Sequence, residues 1–282
     1  MTSLIYKIYS FYRFHNIENI RHIKEQLETY LENKYLKGTI LISKEGINAS
    51  ISGKEKDLDE VLKIIKKILK VRKLNLKKND VHFLPFNRMK VRLKKEIVSL
   101  GKGKIDADKF KKYVHPSEWD KFIENSSVQL IDVRNIYEIV IGRFKGSINP
   151  KTQNFREFPE KVQNLKIDKN QKIAMYCTGG IRCEKASAYL SNIGYKNLYQ
   201  LEGGILNYLE YNKNRKKNIN WEGECFVFDN RVTVNKKLNT GNYSQCFGCR
   251  HPLTTSEKKL KSYIEGICCE YCYKIRNKHQ LN

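Results

Sequence analysis

The stretch Lys172-Ile-Ala-Met-Tyr-Cys177-Thr-Gly-Gly-Ile-Arg-Cys183-Glu-Lys-Ala186 changes character at Cys177. Ile173 to Tyr176 is a short apolar run of strand type. Thr178, Gly179 and Gly180 make a turn. From Arg182 onward the residues Ala186, Tyr189, Leu190 and Ile193 recur at helical spacing. A cysteine thus sits between the carboxyl end of a strand and the first turn of a helix, where open α/β sheets place their chemistry. Free N–H groups of a glycine-rich loop and of a helix N-terminus make a cradle for negative charge. A thiol held there has a lowered pKa and is nucleophilic near neutral pH. A purely structural cysteine before a tight turn leaves the two adjacent glycines without a purpose.

Working outward, strands and helices alternate over 120–212, which indicates a parallel α/β domain. Val128 to Val133 reads as a strand with Asp132 and Arg134 at its end. Gly142 to Pro150 is a glycine-punctuated turn, and a helix runs to about Leu165. Leu198 to Leu201 is a strand, and Gly203-Gly204 opens a helix over Ile205 to Tyr211.

Residues 1–100 read as a compact α+β unit of order β-α-β-β-α-β, the ferredoxin-like arrangement. Its strands are Ile5–Phe14, Gly38–Ser43, Ala49–Ser52 and Val81–Phe86, followed by Met89–Ile97. Its helices are Asn19–Leu31 and Leu58–Leu69. In the last strand Met89, Val91, Leu93 and Ile97 face inward. Arg88, Lys90, Arg92 and Lys94 then share the other face. Four cations on one strand face suit a phosphate backbone, and Phe83 and Phe86 are placed to stack on bases. Residues 101–119 read as a linker with a helix start at Pro116.

The chain has 282 residues, 40% hydrophobic, with a net charge of +24. That charge points to a polyanionic partner such as nucleic acid. A Lys-, Asn- and Ile-rich composition also arises from AT-rich genomes, so the distribution says more than the total. Residues 1–119 carry +13, 120–210 only +3 and 211–282 +8, and the stretch 61–112 alone carries +14. The Cys177 segment is nearly neutral and its neighbours hold the basic footprint. No apolar run nears the ~20 residues of a membrane span, and Met1 to Arg13 has no signal-peptide core. The expected location is the cytoplasm, with no membrane contact.

All eight cysteines lie between Cys177 and Cys272. In a reducing compartment such a cluster signals catalysis or metal rather than disulfides. The tail, 213–282, begins with a basic linker around Lys213-Asn-Arg-Lys-Lys217. It then carries the pairs Cys246-Phe-Gly-Cys249 and Cys269-Glu-Tyr-Cys272, separated by 19 residues. That spacing falls in the ~15–20-residue range of zinc ribbons, in which four thiolates surround one tetrahedral Zn²⁺. Cys268 and His251 are alternative ligands. A redox dithiol, or unligated packed thiols, is the competing expectation.

These motifs together resemble known families. Asp132-Val-Arg134, Gly142-x-Phe-x-Gly-Ser-Ile-Asn149 and the Cys177 loop are similar to a rhodanese domain. Gly38-Thr-Ile-Leu-Ile-Ser-Lys-Glu-Gly-Ile-Asn48, the strand Arg88 to Val98, Asn154-Phe-Arg-Glu-Phe-Pro159 and Cys246-Phe-Gly-Cys-Arg-His-Pro-Leu253 resemble the bacterial tRNA uridine(34) hydroxylase family. The likeness runs from about Tyr6 to Tyr273. The chain departs from the family's usual Ser-Cys-Pro-x-Cys at Cys268-Cys-Glu-Tyr-Cys272.

The resemblance implies hydroxylation of the tRNA wobble uridine to 5-hydroxyuridine, with molecular oxygen as co-substrate and the anticodon arm as partner. It implies a persulfide on Cys177 and a cradle of Thr178, Gly179, Gly180, Ile181 and Arg182. Asp132 and Arg134 would brace the loop without reacting. Cys183, one helical turn on, either resolves the persulfide or packs against the sheet, and packing is preferred. No flavin, haem or nicotinamide site is expected, because neither a nucleotide fingerprint nor a His/His/carboxylate spacing occurs. The alternative is a rhodanese-type sulfurtransferase that takes sulfur from a donor and serves tRNA thiolation. A cysteine phosphatase is disfavoured. It needs Cys-x5-Arg, and here Cys183 stands where that arginine belongs.

Overall fold

The computed structural model describes residues 5–103, 105–106, 112–215 and 219–274. The first unit runs β1 (Tyr6–Phe14), α1 (Ile20–Leu31), β2 (Lys37–Ser43), β3 (Gly46–Gly53), α2 (Glu55–Ile68), β4 (Asn75–Val81) and β5 (Met89–Leu93). The strands order as β4-β1-β3-β2-β5, antiparallel throughout except for the parallel pair β2/β5. The first four strands make the ferredoxin-like sheet, and β5 extends it at one edge. Strand alternation sends Tyr9 and Phe11 to one face, where they pack with Leu27 of α1 and Val61 and Ile65 of α2.

Two expectations change here. The strand expected at Val81–Phe86 is instead irregular chain after Val81, and β4 lies earlier, at Asn75–Val81. Asn-Leu-Lys-Lys-Asn-Asp-Val shows no apolar alternation because β4 is an edge strand, held through its backbone ladder to β1. Likewise β5 stops at Leu93, short of Ile97. Ile97 is still buried, but in a separate cluster with Tyr12 and Phe14 on the opposite side of the sheet.

The second unit runs β6 (Tyr113–Val114), α3 (Pro116–Ile123), β7 (Val128–Asp132), α4 (Ile136–Ile139), β8 (Gly142–Phe144), α5 (Phe158–Gln163), β9 (Lys172–Tyr176), α6 (Ile181–Asn192), β10 (Asn197–Leu201) and α7 (Gly204–Asn212). Strands β6-β10-β9-β7 form a wholly parallel sheet. Both of its faces are covered, which is why β9 reads as a continuous apolar run. Ile173 and Met175 face a core shared with Phe158, Ala186 and Leu190. Ala174 and Tyr176 face the other, with Trp119, Ile205 and Leu209. Edge strand β6 and the start of α3 lie inside the stretch expected as a linker, 101–119. A two-residue strand carries too little pattern to be seen in sequence.

The tail is not a separate appendage. Its first strand, β11 (Trp221–Gly223), pairs antiparallel with β8. Trp221 is fully buried, its ring 5.1 Å edge-on to Phe144. Then come β12 (Cys225–Phe226), β13 (Thr233–Val234), β14 (Ser244–Gln245) and β15 (Pro252–Leu253). Residues 216–218 of the expected basic linker lie outside the described residues. Among the described residues, no helix is long and apolar enough to cross a membrane.

Candidate active site

Cys177 ends β9, and Gly180 caps α6 with φ +100°, a left-handed conformation that costs glycine nothing. The turn aims its N–H groups at the sulfur: Gly180 N donates to Cys177 Sγ at 3.1 Å. The carbonyls are sent the other way. Ile205 N and Leu206 N, in the first turn of α7, donate to the carbonyls of Cys177 and Thr178 at 3.0 and 3.1 Å. This back-to-back packing requires Gly204. A Cβ there would lie 2.4 Å from the Cys177 carbonyl, and its φ is +68°.

The sulfur is buried, yet its pKa is about 5. Burial alone pushes it up. The Cys183 thiol, the charge of Arg182 and the N–H groups of Cys183 and Gly180 more than reverse that. Cys183 is pushed well up, first by burial and then by the neighbouring Cys177 sulfur, so it remains a thiol. Cys183 also packs in the core beside Ala186.

Arg182 does not project freely into the cradle. Its guanidinium makes a two-pronged pair with buried Glu138 of α4, at 2.5 and 2.7 Å, and Thr178 Oγ1 lies 3.3 Å from the same carboxylate. Glu138 was not anticipated. Its only sequence signal is the Asn135-x-x-Glu138 spacing of a helix start, where the Glu138 carboxylate accepts from Asn135 N at 3.1 Å. Gly179 and Ile181 are the partly exposed members of the loop, and no atom lies within 4 Å of a Cβ built on Gly179.

Asp132 and Arg134 form a fully buried two-pronged pair, at 2.9 and 2.6 Å. Arg134 also donates to the Gly142 carbonyl at 2.6 Å and lies over the Tyr176 and Trp221 rings. The pair therefore ties β7 to β8 and β11, and reaches the loop through Glu138, whose backbone carbonyl Arg134 meets at 3.4 Å.

The first unit seats directly on α6. Tyr12 of β1 donates to Glu184 at 2.6 Å, with Asn75 of β4 at 3.3 Å and Tyr113 of β6 at 3.1 Å on the same oxygen. Lys185, also buried, pairs with Glu45 and Glu96 and donates to the Val98 carbonyl. Nothing local in sequence marks this interlock, because every partner is distant in the chain and all but Tyr113 lie in the other unit.

The cations in and flanking β5 fall as their alternation requires. Val91 is buried, Arg88, Arg92 and Lys94 are exposed and Lys90 is half-buried. Arg88, Lys90 and Phe86 line a cleft of about 1040 Å³ together with Arg250 and Tyr271 of the tail and Phe228. Phe83 is not part of that wall. The charges of Arg88, Arg92 and Arg250 push the Lys90 pKa down, Arg88 most. His251 stacks on Tyr271 at 5.1 Å. Arg182 lies 5.8 Å from the Phe228 ring, so the cleft abuts the outer side of the loop.

In the tail the sulfurs of Cys246, Cys249, Cys269 and Cys272 all lie within 4.8 Å of one another. Three of the pairs measure 3.8, 3.6 and 3.9 Å. A tetrahedral ion with metal–sulfur bonds of ~2.3 Å needs sulfurs about 3.8 Å apart, so these four fit zinc. Cys268 points elsewhere, toward the Ser262 carbonyl, and His251 is taken up by its stack on Tyr271. Cys225 is buried in the second unit's core.

Comparison with known proteins matches residues 6–97 to a UPF0176 acylphosphatase-like domain and residues 115–211 to a rhodanese-like domain. Among solved structures, a rhodanese-related protein from Thermoplasma volcanium is 27% identical, covering 36% of this chain and 93% of that one, with a TM-score of 0.30. A rhodanese-like domain from Anabaena is 16% identical, covering 40% and 80%, with a TM-score of 0.34. A curated relative from Pelagibacter ubique, named tRNA uridine(34) hydroxylase, is 48% identical over 250 residues, 88% of this chain and 81% of its own. With that identity over 88% of the chain, and both domains matched, the chain belongs to the tRNA uridine(34) hydroxylase family.

Proposed function

We propose that this protein hydroxylates the wobble uridine, position 34, of tRNA to 5-hydroxyuridine, using molecular oxygen as co-substrate and Cys177 as the reactive sulfur, carried as a persulfide. The observation that carries the reading is a relative of that name, 48% identical over 88% of the chain, joined to a Cys177 sulfur ionised at about pH 5. An anion in a buried cradle of N–H donors is held by charge-assisted hydrogen bonds. The same cradle suits a persulfide, whose outer sulfur extends the anion by one atom toward the open side at Gly179. A sulfur donor outside this chain would load it.

The anticodon arm is the partner that the cleft suits. Arg88, Lys90 and Arg250 crowd like charges together, which favours a polyanion between them. The exposed or cleft-lining rings of Phe86, Phe228 and Tyr271 offer faces for unstacked bases. Arg92 and Lys94 continue the basic face beyond the cleft. The four tail cysteines are proposed to hold a structural zinc, which would fix the wall that carries Arg250 and Tyr271.

The test is nucleoside mass spectrometry of total tRNA from a deletion strain complemented with wild type or C177A. The expected result is loss of 5-hydroxyuridine-derived nucleosides, restored by wild type and not by C177A. If they persist in the deletion strain while a thiolated nucleoside falls, the protein is a sulfurtransferase working from the same cradle.

A further inference from the structure

Lys77 lies in β4, opposite Ser10 of β1, and Asn75 lies opposite Tyr12. In an antiparallel ladder directly opposed residues share a face. Ser10, Tyr12, Asn75 and Lys77 therefore all stand on the sheet face turned away from α1 and α2. That is the face seated on α6: Tyr12 and Asn75 both reach Glu184, and the Tyr12 hydroxyl stands 3.1 Å from a Cβ built on Gly180. The Lys77 stem is partly exposed, but its Nζ is buried and has no hydrogen-bond partner among the described residues. A buried ammonium without an acceptor is costly and calls for a compensating charge.

The other cations around the loop are already neutralised. Arg182 is paired with Glu138, Arg134 with Asp132, and Lys185 with Glu45 and Glu96. An anion on Cys177 therefore gains local potential from Arg182 but no net compensation from the Arg182–Glu138 pair. Lys77 brings a buried amine with no partner among the described residues to this side of the loop, and its charge and that of the Cys177 sulfur act on one another.

We propose that Lys77, delivered from the first unit, is the counter-charge of the Cys177 sulfur anion, and that it draws anionic reactants to that sulfur. Lys77 is a positioning residue, acting through the sulfur and its ligands. The inference rests on Cys177 being the ionised, reactive sulfur. It gives the docking of the first unit on α6 a chemical purpose: the active cysteine is electrostatically complete only when both units are in place.

The titratable groups whose charges act on Lys77 are Cys177 and Cys225, while Glu184 and Tyr12 meet Asn75 two strand positions away. Burial pushes the Lys77 amine down to about 8, against an upward pull from Cys177 and Cys225. Burial holds Cys225 up at about 12, so it stays neutral. Cys177 ionises at about 5. Between about pH 5 and 8 both groups are therefore charged, and their attraction is lost above that window as the amine gives up its proton.

The experiment compares alkylation of Cys177 in the full chain by iodoacetate, an anion, and by iodoacetamide, which is neutral. Peptide mass spectrometry follows that one cysteine across pH in wild type, K77M and K77R. In wild type the iodoacetate-to-iodoacetamide rate ratio is expected to be high at neutral pH and to drop as pH passes about 8. In K77M it should be about tenfold lower and flat there, the scale of one nearby partly buried charge. In K77R it should stay high above pH 8, because a guanidinium does not titrate in that range. K77M should also melt no lower than wild type, since it removes an uncompensated buried charge. Superimposable ratios in wild type and K77M, with Cys177 reactive in both, overturn the inference alone. A Cys177 that is inert in wild type throughout the window overturns both the inference and the thiolate reading beneath it.

Discussion

Tyr12 and Glu184 meet across 2.6 Å, both buried, one in the first strand of the chain and the other one helical turn past the reactive loop. Burial, followed by the nearby Glu184 charge, holds the Tyr12 phenol well above its ordinary pKa, so it remains a donor. A hydrogen bond to a charged, buried acceptor contributes about 1.5–3 kcal/mol. Y12F should lower stability by that order and loosen the two units together. Hydrogen exchange over β1 and α6 would register it. Loss of protection confined to β1 would mean that the two units do not support each other there.

The Cys183 thiol is the leading force that keeps Cys177 ionised against burial. C183A should move the pH midpoint of Cys177 alkylation upward from about 5, without abolishing the reaction. A stability consequence follows with a definite sign. The folded pKa lies below the unfolded one, so the ionised thiol stabilises the fold at high pH, and that contribution is lost as pH falls through about 5. Urea titrations of wild type and C177A should therefore diverge in favour of wild type between about pH 5 and 9, and converge below.

Gly204 is where α7 meets the back of the cradle. G204A places a Cβ 2.4 Å from the Cys177 carbonyl on a residue with φ +68°. Overpacking with backbone strain costs about 1–3 kcal/mol. The loop should shift before the core does, so Cys177 alkylation at neutral pH should slow more than the melting temperature falls. Unchanged alkylation would show that the carbonyl contacts of α7 do not set the loop.

The tail offers a direct discrimination between adjacent cysteines. Native mass spectrometry should find one zinc per chain in wild type and in C268S, and none in C269S. Cys269 stands in the four-sulfur cluster, while Cys268 faces the Ser262 carbonyl. Retention of metal by C269S would transfer the ligand role to Cys268.

Binding of tRNA should weaken steeply with salt, and R88A and R250A should each flatten the slope by roughly one unit if each side chain contacts a phosphate. Both line the same cleft from different units. Filter binding across a salt series measures this. A slope unchanged in both variants would place the RNA elsewhere on the basic surface.

Much of the chemistry was written locally. Strand, cysteine, two glycines and helix follow one another without a gap, so the Cys177 cradle could be read from spacing alone. The two CxxC pairs did the same for the four-sulfur cluster, and the alternation of Arg88, Lys90, Arg92 and Lys94 for the basic edge. What failed were elements too short or too polar to carry a period: β4, whose polar residues are held by a backbone ladder, and the two-residue β6. Arg182 stands in the cradle and its charge lowers the Cys177 pKa, but its pairing with Glu138 of α4 has no period or motif in the sequence to announce it.

The sequence by itself determined which residues could react and which units would form, because hydrophobic period, turn chemistry and ligand spacing are properties of neighbouring residues. Only the tertiary structure decided what surrounds the sulfur. Tyr12 and Glu184 are 172 positions apart, Lys185 and Glu45 140, and Asn75 and Glu184 109. Those meetings depend on which face of one sheet is left bare by its own helices, and on which helix of the next unit buries it. They are set by the burial of whole surfaces, and no local pattern in the chain encodes them.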